Sequence, residues 1–100
     1  MANQACRSSG VLGSSGIVSN EQSLLISIHA NLIIAGNALV TVEVFDGTSA
    51  SGTEVARITH SVTGHYNFEY DMHGVLCRNG IFLEITEAGS STAEVSVEFA

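Results

Sequence analysis

From Leu24 onward the chain alternates apolar and polar residues with a period of two. Leu24, Ile26, Ile28 and Ala30 fall on one face, with Ser27 and His29 on the other. Val40, Val42 and Val44 oppose Thr41 and Glu43, while Tyr66, Phe68 and Tyr70 oppose Asn67 and Glu69. Further on, Ile81, Leu83 and Ile85 oppose Glu84 and Thr86, and Val95, Val97 and Phe99 oppose Glu94, Ser96 and Glu98. Successive side chains of a strand point to opposite faces, so this is the pattern of half-buried antiparallel strands. No segment keeps a helical period.

Turn signals separate the runs: Ala35-Gly36-Asn37, Asp46 to Thr53, Ser61 to Gly64, and Ala88 to Thr92. The sharpest is Asn79-Gly80, which predicts a two-residue type I′ hairpin between strands at 75–78 and 81–87. Short strands at this spacing predict an all-β fold, a small antiparallel β-sandwich or jelly-roll-like barrel of about six to eight strands. One hundred residues are enough for one core, here expected over residues 23–100. Residues 1–22 are Gly/Ser-rich and read as an extended N-terminal arm. Val11, Leu12, Ile17 and Val18 are its candidate anchors, against the body or against a neighbour.

Composition changes the picture of the surface. There are three arginines (Arg7, Arg57, Arg78), no lysine, and 13% charged residues, where about a quarter is usual. So little charge leaves part of the surface for other subunits to cover, which makes homo-oligomerisation the expectation. Lysine and proline, two common guards of exposed strand edges, are both absent. The two apolar aromatics at outward-facing strand positions, Phe45 and Phe82, are candidate interface contacts. A net charge of −7 without a basic stripe argues against a nucleic acid partner, because phosphate backbones are bound by lysine and arginine. It also argues against an anionic membrane surface, and no apolar run approaches the ~20 residues that span a bilayer.

The opening residues MANQACRSSG lack a basic start and an apolar segment, which predicts synthesis in a cytoplasm. Cys6 and Cys77 are too few for a disulfide framework. They read as two free thiols, with a later bond between them as the alternative.

Candidate chemistry is sparse. His60, His65, Asp71 and His73 are raw material for a metal site, but their spacing matches no specific motif, and surface or packing roles are the simpler reading. Gly13-Ser14-Ser15-Gly16 lacks the spacing of a nucleophile elbow, and the absence of lysine excludes a phosphate-binding P-loop. Asp46-Gly47 and the Glu87-Ala88-Gly89 loop offer oxygens, yet Asp and Gly serve turns first. The expectation is therefore a protein without cofactor and without catalysis.

Two stretches carry a resemblance. Val44 to Ala56 (VFDGTSASGTEVA) and Gly74 to Ile85 (GVLCRNGIFLEI) resemble the hairpins of a loose group of short virion proteins of tailed bacteriophages, which also open with a Gly/Ser-rich arm. The resemblance spans most of residues 10–99 and brings no catalytic residues. It implies a virion component: a capsid cement or decoration protein, often a trimer, that binds the major capsid protein where capsomers meet. A small neck, tail or fibre component, or a receptor- or glycan-binding module, is the alternative it leaves open. An acidic protein suits the outside of a capsid better than the space beside packaged DNA.

Overall fold

The computed structural model describes residues 6–100 and shows eight strands in two antiparallel sheets, with no helix among them. The first five residues of the arm lie outside the described residues. The strands are β1 (Arg7–Ser8), β2 (Gly16–Ser19), β3 (Ser23–Ile34), β4 (Val40–Asp46), β5 (Thr53–His60), β6 (Gly64–Cys77), β7 (Ile81–Glu87) and β8 (Thr92–Phe99). One sheet, here the A sheet, runs β1-β8-β3-β6; the other, the B sheet, runs β2-β7-β4-β5. Apart from the β4–β5 hairpin, each strand from β1 on hands the chain to the opposite sheet. This is the strand order of a jelly roll, a sandwich of two four-stranded sheets.

The sheets meet through the inward residues of the alternating runs. Leu25, Ile28 and Leu32 of β3, Val40, Val42 and Val44 of β4, Ile81 and Leu83 of β7, and Val95 and Val97 of β8 are fully buried. β3 packs over β4 and β8 over β7, so the core runs through the middle strands of both sheets. Each such side chain contributes on the order of 1.5–3 kcal/mol when taken from water. β-Branched valine and isoleucine dominate because they fit a pleated surface.

Three expectations need correction. Leu24 and Ile26 are half-buried, and Leu25 is the core residue instead. A bulge between Leu25 and Ser27 shifts the pairing of β3 with both neighbours, which flips the upstream residues to the other face. Tyr70 is exposed although Tyr66 and Phe68 pack on the core. Finally, residues 75–78 and 81–87 do not form a hairpin: β6 pairs with β3, and β7 pairs with β2 and β4. The Arg78–Gly80 link crosses between sheets, with Gly80 at φ +117° and Asn79 outside the positive-φ region. Positive φ at two central residues occurs instead at Gly36 (+62°) and Asn37 (+53°), closed by Ala38 N–H donating to the Ala35 carbonyl at 3.2 Å.

Candidate interaction surfaces

The Gly/Ser-rich segment supplies the first strand of each sheet. It runs along the β8 edge, where Leu12 and Val95 exchange backbone hydrogen bonds of 2.7 and 2.9 Å and Ser9 N–H donates to the Val97 carbonyl at 2.9 Å. It then crosses to the B sheet, where the Ser15 hydroxyl accepts from Ile85 N–H at 2.8 Å and β2 pairs with β7. Glycine and serine suit this path because short side chains let the backbone lie close to the strand edges. Leu12 and Val18 are half-buried and pack against the core, so they anchor the segment to its own body. Val11 (71% exposed) and Ile17 (55% exposed) do not; they stand on the surface.

The sandwich therefore ends on one flank in the short strands β1 and β2, of two and four residues, and on the other, the open flank, in the long strands β5 and β6, of eight and fourteen. On the open flank, β5 and β6 are the last strands of their sheets, and no strand among the described residues pairs with their outer edges. Between them lies an aromatic plug: the His60 ring sits 4.1 Å from Tyr66, centroid to centroid, and Tyr66 stacks on Phe68. The buried Nε2 of His60 has no hydrogen-bond partner. His60 is thus a packing residue here, while His65 lies on the outer face opposite Ile33. Asp71 and His73 sit at a bulge in β6, with His73 at φ +54° and its N–H bonded to the Asp71 carboxylate at 3.0 Å. These residues do not converge, and among the described residues no group of three or more His, Cys, Asp or Glu is placed to hold a metal ion.

The outer face of the B sheet carries one apolar row, Ile17-Phe82-Phe45, set by the cross-strand register. Phe82 is half-buried, and its ring lies 6.5 Å from that of Phe45. Phe45 itself is 7% exposed, so it is not a free interface contact as its outward position predicted. Its neighbour on the next strand covers it, as aromatic cross-strand pairs do. Beside this row Arg57 forms a fork on Glu54, with contacts of 3.0 and 3.1 Å, and reaches Glu43 at 3.4 Å. A hydrogen bond shared with Glu54 holds the Glu43 carboxyl above the usual carboxylate range; the same bond, then Arg57, hold Glu54 below it.

The outer face of the A sheet is the most polar surface, and the register orders it in rungs: Glu98-Ser27-Asp71, Ser96-His29-Glu69 and Glu94-Asn31-Asn67. Four carboxylates stand on β6 and β8, and β3, β6 and β8 contain no arginine or lysine. Two adjoining shallow grooves of about 340 and 350 Å³ share His29 and Glu69, and Val11 forms part of the wall of the first. His29 lies 3.5 Å from Glu98 through Nε2 and 3.9 Å from Glu69 through Nδ1. Ser27 donates its hydroxyl hydrogen to Glu98 and has its oxygen 3.2 Å from His29 Nε2. The Ser27 and His29 hydrogen bonds hold the Glu98 carboxyl below the usual carboxylate range. Ser27 thus directs its proton to Glu98 and not to His29 Nε2. Sequence alternation placed these groups outward; only the pairing of β3 with both β6 and β8 brings them together.

Cys6 and Cys77 are both free thiols, the first exposed and the second buried. Burial, then the nearby Asp46 charge, pushes the Cys77 thiol up. Cys6 immediately precedes β1 and Cys77 ends β6, at opposite edges of one sheet. Three inter-strand steps of ~4.8 Å put the two edges ~14 Å apart, beyond the ~7 Å limit for a disulfide within one chain.

No protein-family model matches the chain, and no curated protein matches it. Among solved structures it is similar to a chain from work describing Bacillus endospore appendages as "a novel family of disulfide-linked pili". The identity is 12% and the TM-score 0.48, over 95% of this chain and 85% of that one. An overlap this loose carries no inference about what the present chain does.

Proposed function

We propose that the protein is a non-enzymatic structural subunit that assembles with copies of itself into a multi-copy surface assembly. The observation that supports this best is the open flank. Two long strand edges lie side by side there, unprotected by lysine or proline, whereas the opposite flank of the same molecule ends in the two short strands β1 and β2. A protein that stayed monomeric would gain from guarding both. The low charge content and the exposed Val11, Ile17, Leu39 and Val62 point the same way.

The test is concentration-dependent association of the purified chain, by light scattering and electron microscopy, beside a variant carrying Thr59→Lys and His65→Lys. Both residues are exposed and lie on the edge strands β5 and β6. Association at least tenfold weaker in the variant, with an unchanged melting temperature, is the expected result. A wild-type chain that remains monomeric at all concentrations would end this reading.

A virion shell is one assembly of this kind. The motifs at residues 44–56 and 74–85 favour a capsid cement role, bound to the major capsid protein, as the second and more specific reading. Protein composition of purified virus particles decides it: hundreds of copies per particle mean a shell, and absence from particles means another surface.

A further inference from the structure

Two of this chain's charged patches are of opposite sign and cannot meet within one molecule. On the outer face of the A sheet, Glu69, Asp71, Glu94 and Glu98 surround His29 with no arginine on those strands. At the far tip, the β6–β7 link presents Arg78, which is exposed. Arg57 is paired with Glu54 and Glu43, and Arg7 reaches Glu21 at 3.9 Å. Arg78 is the one arginine with no carboxylate within ion-pair distance among the described residues. It follows Cys77, which pairs with Ser23, while the centre of the acidic face lies at His29, six residues further along β3. At about 3.4 Å per residue the separation is ~20 Å, too far for the side chain to reach its own groove.

We propose that the acidic face receives the Arg78 tip of a second copy, with the guanidinium set between Glu69 and Glu98. Three features fit that occupant. The His29–Glu69–Glu98 groove, about 350 Å³ where it adjoins Ser27 and Tyr70, has room for one arginine side chain. Two carboxylates there face a guanidinium that can fork between acceptors. The Asn79 side chain beside it meets a face that carries Asn31 and Asn67, able to donate and accept. The two patches differ, so the contact is head-to-tail: it does not close as a two-fold dimer but propagates into a ring or an open chain.

This inference rests on the self-assembly proposed above, and the experiment separates the two. Arg78→Ala spoils the tip and Glu69→Arg spoils the face; both residues are exposed, and thermal melts confirm that each variant folds. Each variant alone should associate at least tenfold more weakly than wild type. Mixed in equal amounts they should form a discrete two-chain species and stop, because one intact tip meets one intact face and neither end continues. Sedimentation reads all three states. Wild-type chains that assemble while Arg78→Ala assembles equally well overturn the tip-to-face contact and leave self-assembly standing. Variants that weaken alone but fail to pair when mixed also overturn it, whereas wild-type chains that never associate remove both proposals.

Discussion

At the scale of single residues, the clearest coupling is the Ser27–Glu98–His29 set. Glu98 titrates lower in the folded chain than its ordinary value of 4.5, first through the Ser27 hydrogen bond and then through His29. A carboxylate with a depressed folded pKa stabilises the fold fully above the unfolded value, and that contribution disappears as pH falls through the folded value. The window is therefore acidic, below 4.5. Ser27→Ala removes the larger cause, so the Glu98 midpoint should rise toward its ordinary value. Carboxyl chemical shifts followed through a pH titration measure this directly. An unmoved midpoint would mean that the hydroxyl does not bond Glu98 in solution. The outward position of Ser27, His29 and Glu98 was legible from alternation, but their meeting was not, because alternation is silent on which strands are neighbours. Phe45 was misjudged for a related reason: an outward residue is exposed only if its cross-strand partner is small, and its partner is Phe82.

At the scale of elements, the sequence told strand content well and connections poorly. Valines at 40, 42 and 44 and the Ile81-Leu83 pair marked β4 and β7 because a period of two survives any choice of partner. Asn79-Gly80 misled, since the same dipeptide that suits a tight hairpin also suits a link between sheets; the distinction is made by what β6 and β7 pack against. Gly80 explains its own place there. It is buried at φ +117°, and a Cβ on it would run into the Ser19 carbonyl oxygen and lie 3.2 Å from that of Gly47. Gly47 N–H donates to the Gly80 carbonyl at 3.1 Å, so this close approach ties the β4–β5 loop to the link. Gly80→Ala should cost about 2–3 kcal/mol through strain and displacement of that backbone. Gly13→Ala is the matched control, with nothing within 4 Å of its added carbon and no positive φ, and should change stability by less than about 0.5 kcal/mol. Urea denaturation of both variants tests the contrast; equal effects would show that the link tolerates a side chain.

At the scale of the whole molecule, the Gly/Ser-rich segment decides how many sides of the sandwich are available. Its composition read as an extended arm held against the body or against a neighbour; Leu12 and Val18 on the core and the backbone bonds to Val95, Val97 and β7 make it an edge strand of both sheets. Composition left that choice open because serine and glycine are permissive in an edge strand as well as in a flexible tail, and the partners that fix them lie some 70 to 90 positions further along the chain. Deleting residues 2–19 therefore strips the first strand from each sheet instead of trimming a tether. Two half-buried aliphatic side chains and the edge hydrogen bonds are lost, a destabilisation of about 2–4 kcal/mol. The consequence for assembly is larger. With β7 and β8 uncovered, both flanks of the sandwich present long unpaired edges, and directional packing gives way to pairing on either side. The truncated chain should form irregular aggregates where the full chain forms ordered particles, as seen by electron microscopy and light scattering at matched concentration. A truncated chain that kept both the stability and the ordered assembly of the full chain would show that the segment closes neither sheet in solution.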